Sequence, residues 1–252
     1  MLEIRGLSKS FGGVKATDNV SLDFADGSLT AVIGPNGAGK STFFNLITGA
    51  LKPDAGQVLL DGVDLAGHTP PDIVRHGIGR AFQVASIFPS LTVEETMLAA
   101  VGADLRRASV LHRRFPLGET RDRAEQAMEL LGLANKRRRT AATLSHGDQK
   151  LLDIALALVL DPKVLLLDEP TAGMGTEERW RMIDKVHELW QQQKITVVFI
   201  EHDMDIVFKI APSIVVLCYG RILATGAPDA IRRNAAVIEA YLGTEHHAEA
   251  AI

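Results

Sequence analysis

The nine residues Gly34-Pro35-Asn36-Gly37-Ala38-Gly39-Lys40-Ser41-Thr42 fit the pattern G-x-x-x-x-G-K-[ST], a spacing suited to gripping phosphate. Glycines let successive backbone N–H groups converge on phosphate oxygens, and a helix opening at the loop adds the positive end of its dipole. Lys40 supplies a point charge for β- and γ-phosphates, and the Ser41 hydroxyl is a ligand that Mg²⁺ accepts. Further along, the apolar run Val164-Leu165-Leu166-Leu167 ends in Asp168-Glu169. Two adjacent acids at a strand end point in different directions, so one can enter a magnesium shell while the other faces a water. Asp168 is therefore assigned to the metal side, and Glu169 to the general base for an attacking water. A polar strand end turning at Pro170 would look the same in isolation; the phosphate loop in the same chain favours chemistry.

Such a loop needs a strand before it and a helix after it. Residues 29–33 read as the strand, and 40–47 as a helix that stops at Gly49. The first thirty residues alternate apolar and polar, with Gly12-Gly13 and Asp26-Gly27 as turns, which predicts antiparallel strands; Val58-Leu59-Leu60-Asp61-Gly62-Val63 predicts another hairpin. Residues 93–143 read as helical and basic, including a helix over 123–131 closed by Gly132. From Ser145 onward the order becomes helix, strand 164–168, helix 177–192, strand 196–201, helix, strand, the alternation that builds a parallel sheet. In the helix over 177–192, Trp180, Ile183, Val186 and Trp190 recur at helical spacing and predict a core-facing stripe.

At 252 residues, 46% hydrophobic and 23% charged, the chain can bury one sizeable core. The start Met1-Leu2-Glu3-Ile4-Arg5 does not read as a targeting peptide, so the chain is expected to stay where it is made. Its most apolar runs, 154–160 and 164–167, fall short of the ~18–20 residues of a membrane-spanning helix. The single Cys218 cannot form an internal disulfide and, following the run 214–217, reads as a small buried hydrophobe in a reducing compartment. A net charge of −4 gives no case for nucleic acid. Between 105 and 139, however, arginines and lysines outnumber the acids Glu119, Asp122, Glu125 and Glu129. That segment reads as a solvated helical face, or alternatively as a surface that approaches anionic headgroups or a membrane partner.

Phe11, the phosphate loop, Gln83, Leu144-Ser145-His146-Gly147-Asp148-Gln149, Asp168-Glu169 and His202, in this order, resemble the nucleotide-binding subunit of an ABC transporter. The resemblance runs over about 2–243, and the L-S-x-G-x-Q element before the strand at 164–168 is its most specific part. It implies an α/β P-loop NTPase core with a mainly parallel sheet, an antiparallel β subdomain and a helical subdomain at about 93–160. All of these belong to one domain, 1–243, followed by a mobile tail, 244–252. It further implies ATP and Mg²⁺ as cofactors and a head-to-tail dimer with two ATP molecules at the interface. By the same resemblance Phe11 stacks on adenine, Gln83 senses the metal site and contacts the membrane partner, and His202 contacts the γ-phosphate and orients water. Ser145 and Gly147 would meet the γ-phosphate held by the other subunit. Ser145 opens an apolar helix and so presents a hydroxyl and free N–H groups there; with Asp148 it also fits a simple capping pair. Taken singly, Phe11 reads as a strand-edge hydrophobe, Gln83 as a surface polar residue and His202 as a hydrogen-bonded histidine; their order along the chain carries the functional reading.

The Leu144-Ser145-His146-Gly147 stretch, Ala172-Gly173-Met174, Ile200-Glu201-His202-Asp203-Met204 and the close from Gly226 through Tyr241 to Gly243 are similar to ATPases of branched-chain amino acid importers and their relatives for urea, amides and organic acids. That likeness implies transmembrane permease subunits, a periplasmic or extracellular solute-binding protein, a homodimer or a homologous partner ATPase, a place on the cytoplasmic face of the membrane, and no nucleic acid. A lipid exporter's ATPase is the nearest alternative. A soluble ABC ATPase of DNA repair, chromosome structure or translation would call for a long coiled coil, a zinc module or a second cassette, and the sequence shows none. A non-hydrolysing ATP sensor would have no use for Glu169. Two departures from the family pattern matter. His146 and Asp148 stand where Gly and Gln are common, and the added acid is expected to repel a γ-phosphate and weaken dimer closure. Gly175 stands where many relatives place an aspartate that contacts the other subunit.

Overall fold

The alternating start of the chain forms β1 (Leu2–Phe11) and β2 (Val14–Phe24), antiparallel and joined by a turn in which Gly12 and Gly13 both take positive φ. Leu2, Ile4 and Leu7 turn inward, each fully buried. In the computed structural model residues 1–81, 88–104 and 118–241 are described. The five residues of β3 (Leu29–Ile33) are all buried, as a strand covered on both faces must be, and they lead through the glycine loop into α1 (Lys40–Ile47). The hairpin predicted at 58–63 is β4 (Ala55–Leu60) with β5 (Val63–Asp64), followed by α2 (Pro70–His76).

The chain then builds a second unit over Gly77–Gln193. It holds β6 (Ile78–Ala81), α3 (Val93–Asp104), α4 (Gly118–Leu130), α5 (His146–Leu158), β7 (Val164–Asp168) and α6 (Thr176–Gln193). β6 and β7 pair in parallel, Ile78 to Val164 through Ala81 to Leu167. α5 packs on both strands and on α3, α4 and α6. The first unit, Met1–His76, resumes at Lys194 with β8 (Thr196–Ile200), α7 (Met204–Ile210), β9 (Ser213–Cys218), β10 (Arg221–Gly226) and α8 (Pro228–Arg232). There β3 lies between β8 and β9, parallel to both, while β10 is antiparallel to β9. The result is the expected α/β architecture: parallel pairs in the core, antiparallel strands in the β section and helices between β6 and β7.

Three details differ from the sequence reading. The buried face of α6 is Met182, Ile183, Val186 and Leu189, while Trp180 and Trp190 are half-exposed; Trp180 falls about 60° beyond Ile183, the nearest edge of that face, and Trp190 lies within its arc in the last turn of the helix. Cys218 is half-buried rather than buried, since it ends β9 at the turn into β10; burial still pushes its thiol pKa up. In the basic region, five of the described cations are engaged: Arg121 pairs with Glu94, Arg137 with Glu125 and Lys136 with Asp148, while Arg123 donates to the Val159 carbonyl and Arg139 to that of Thr143. Gln83, the arginines in 105–117 and the tail 244–252 lie outside the described residues. Ile183→Ala should cost about 3 kcal/mol in urea unfolding and Trp180→Ala about 1 kcal/mol; equal costs would put the seam of α6 back on the tryptophans.

Candidate active site

Gly34 follows β3 with φ +152°, and a Cβ there would stand 2.1 Å from the Leu217 carbonyl oxygen; Gly39 has φ +98°, and its Cβ would stand 2.1 Å from the Ala16 oxygen. Only glycine lets the loop pass this close to its neighbouring backbone. Ala38 exchanges bonds across the bend, donating to the Pro35 carbonyl at 3.1 Å and accepting from the Gly220 N–H at 3.0 Å. Gly39 is the N-cap of α1, which has no side-chain cap and no acid in its first turn, so its positive end is left to a ligand. Lys40, only 7% exposed, donates from Nζ to the carbonyl oxygens of Gly34 at 2.6 Å and Pro35 at 3.1 Å, curling the loop around its ammonium. Ser41 is exposed one residue on, and Asn36 and Gly37 are exposed at the crest. Tyr241 comes back beside the Gly34 backbone, and burial pushes its phenol pKa up to about 12.

In the second unit β7 delivers Asp168 and Glu169. Asp168 is 8% exposed, and its Oδ2 accepts from Arg80 Nη2 at 2.6 Å. Glu169 takes φ +48°, the left-handed region that a side chain with a Cβ enters at a cost of about 1–2 kcal/mol. A turn bond from the Ala172 N–H to the Glu169 carbonyl at 3.1 Å holds it there, and the buried Lys150 of α5 donates to the same carbonyl at 3.2 Å. The adjacent acids thus differ in setting: Asp168 is buried against Arg80, while Glu169 is half-buried at the start of the turn. The donor types fit Mg²⁺, a hard cation that takes one or two carboxylate or hydroxyl oxygens alongside phosphates: the first unit offers the Ser41 hydroxyl and the second the Asp168 carboxylate.

Ser145 caps α5, its Oγ accepting from the Asp148 N–H at 3.2 Å. The Gly147 N–H, in the same first turn, donates to Glu178 Oε1 of α6 at 3.1 Å. His146 Nε2 lies 3.2 Å from the Ala172 carbonyl oxygen, tying the signature turn to the loop after Glu169. Asp148 does not stand as an uncompensated acid: Lys136 Nζ contacts both of its carboxylate oxygens at 2.6 Å. The charge expected to face a γ-phosphate is met within the chain.

Phe11 is 46% exposed at the tip of β1, with Lys9 Nζ 5.7 Å from its ring centroid, an open aromatic face. His202 is exposed between the buried Glu201, whose carboxylate accepts from the His202 N–H at 3.1 Å, and Asp203, which caps α7. The structure brings Gly34 through Thr42 together in the first unit, and Asp168, Glu169, Ser145 and Gly147 into neighbouring elements of the second. Sequence reasoning missed Arg80, Lys136, Lys150 and Glu178. Each belongs to no motif, and only the pairing of β6 with β7 and the packing around α5 put them beside the motif residues.

A glycine loop wrapped on a buried lysine at an uncapped helix start defines a nucleotide-binding protein of the P-loop class. The ABC transporter family profile matches residues 17–172, and that of the branched-chain amino acid ATP-binding cassette transporter matches 221–247. The chain is 39% identical over 249 residues to the high-affinity branched-chain amino acid transport ATP-binding protein LivG of Escherichia coli K12, covering 96% of this chain and 98% of that protein. Among solved structures it resembles the ADP conformation of an ATP-binding cassette of an ABC transporter (33% identity, 96% and 98% covered, TM-score 0.84). It also resembles a dimeric bacterial ABC transporter cassette (25% identity, 90% and 99% covered, TM-score 0.75). The chain belongs to the ABC transporter family, as an ATP-binding and ATP-hydrolysing subunit. A double-mutant cycle of Lys136→Met and Asp148→Asn, read by chemical denaturation, should give a coupling of about 1 kcal/mol; additive effects would mean that the pair is not held in solution.

Proposed function

We propose that the chain powers an importer of branched-chain amino acids or of related small polar or organic-acid solutes. The observation that carries the solute class is the likeness to LivG-type cassettes along nearly the whole chain, including its C-terminal segment. In this reading the N–H groups of Gly37 and Gly39 through Thr42, together with Lys40, hold the β- and γ-phosphates of ATP. Gly34, Pro35, Asn36 and Ala38 shape the loop around them, and Phe11 receives the adenine. Ser41 and Asp168 are the residues of the described set that would hold Mg²⁺, with Gln83 as a further ligand and sensor. The ion would neutralise charge on the transferred phosphoryl group. Glu169 takes the proton of the attacking water, and His202 orients that water and contacts the γ-phosphate. Ser145 and Gly147 close on ATP held by a second copy or a homologous subunit, in the manner of a head-to-tail dimer.

No described helix is long and apolar enough to cross a membrane. By the likeness to LivG-type cassettes, membrane passage falls in this reading to separate permease subunits, with this chain peripheral on the cytoplasmic side and a solute-binding protein on the other. Solute choice lies with those partners. No observation favours a lipid exporter or a soluble ABC ATPase.

Purifying the tagged chain from native membranes in mild detergent should recover multi-span permease subunits, with or without a second ATPase, by mass spectrometry. Recovery only with DNA, ribosomes or soluble factors would contradict the importer assignment. Lys40→Ala should lose nucleotide binding or turnover. Glu169→Gln should keep ATP affinity, lower kcat by about 10²-fold or more and accumulate a closed dimer on ATP; wild-type turnover in that variant would remove Glu169 as the base.

A further inference from the structure

β6 is short and otherwise built of Ile78, Gly79 and Ala81, so an arginine there is out of keeping with its neighbours. Arg80 stands opposite Leu166 of β7 in the parallel register, and its side chain extends along the strands to Asp168 at the end of β7. The guanidinium and the carboxylate are each 9% exposed, with Nη2 2.6 Å from Oδ2; Oδ1 lies outside that bond. Two ions taken out of water gain little net stability from each other, and apolar residues of similar volume would serve the fold as well. Removing one partner is a different matter, because it strands the other charge. A carboxylate reserved for a metal faces this problem whenever the metal is away.

We propose that Arg80 is a positioning residue that neutralises and orients Asp168 in the metal-free protein and then competes with the nucleotide-bound Mg²⁺ for the same carboxylate. The proposal rests on the assignment of Asp168 to the metal. Arg80 fixes Oδ2 and leaves Oδ1 for the incoming ion, so Asp168 is aimed before the metal arrives. Once it has arrived, two cations share one carboxylate, and their repulsion keeps metal binding weaker than Asp168 alone would make it. Metal and ADP are thereby released more readily after hydrolysis.

The test uses the full chain with ADP and Mn²⁺ as the probe, free Mn²⁺ being read by electron paramagnetic resonance and stability by thermal melting. Arg80→Met should lower the Tm of the metal-free protein by about 5 °C or more, because Asp168 is left uncompensated. It should lower the half-saturating Mn²⁺ about tenfold, and Mn²⁺–ADP should raise its Tm by more than it raises that of the wild type. Arg80→Lys, which keeps the charge, should bind Mn²⁺ within about threefold of wild type. If the Met variant does not accumulate, Arg80→Gln keeps a donor toward Oδ2 without the charge and should tighten Mn²⁺ binding in the same direction. A Tm lowered equally with and without Mn²⁺–ADP, at unchanged Mn²⁺ affinity, would make Arg80 structural only and overturn the proposal. Asp168→Asn separates the two layers: it should weaken Mn²⁺ binding at least tenfold, and unchanged binding there would overturn the metal assignment itself.

Discussion

A buried ammonium has to be surrounded by oxygen, and the first unit of this protein is organised around meeting that demand at Lys40. The Gly34 and Pro35 carbonyls supply the oxygens at 2.6 and 3.1 Å, and doing so bends the loop into a ring around the ammonium. The ring exists only because Gly34 and Gly39 pass where a Cβ would collide with the Leu217 and Ala16 backbone. Those contacts come from β9 and β2, so the strands on both sides of the loop are part of the phosphate grip. The fully buried β3 fixes where the loop starts, and α1, uncapped, fixes where its positive end points. A polyphosphate is the ligand that this arrangement suits.

The second unit solves the complementary problem of holding negative charge. Asp168 is met by Arg80, Asp148 by Lys136, and Glu178 by the Gly147 N–H at the start of α5. Glu169 is held in a left-handed conformation by bonds to its own carbonyl from Ala172 and Lys150, strain that the surrounding turn offsets. α5 joins these features. Its first turn carries Ser145 and Gly147, Lys150 reaches the turn after β7, and its apolar side packs on the strands beneath. A change at the signature turn and a change at Glu169 are in this way mechanically connected through one helix and the His146 contact to Ala172.

Much of this was legible from residues alone, because the decisive elements are local. The strand at 29–33, the helix at 40–47 and the strand at 164–168 each announce themselves by a short apolar run and a glycine or acid at its end, and the structure places them at those residues. What local pattern cannot show is which distant charge sits beside a motif. The pairing of Asp148 was hidden for that reason: Lys136 is twelve residues away in sequence and reaches it only because the short turn 134–136 folds back on α5. The α6 stripe was read from its two large tryptophans together with Ile183 and Val186, whereas the residues that complete the buried face are Met182 and Leu189. Arg80 was invisible because its partner is fixed by strand pairing.

Coupling between ATP hydrolysis by this chain and a membrane partner is the central element of the proposed function. The measurement that tests it is the ATPase rate of the chain reconstituted in proteoliposomes with its co-purified permease, with and without the solute-loaded binding protein. Turnover that rises when loaded binding protein is present on the far side of the membrane, together with solute uptake toward the ATP side, is the predicted result. Turnover indifferent to permease and binding protein alike would contradict it.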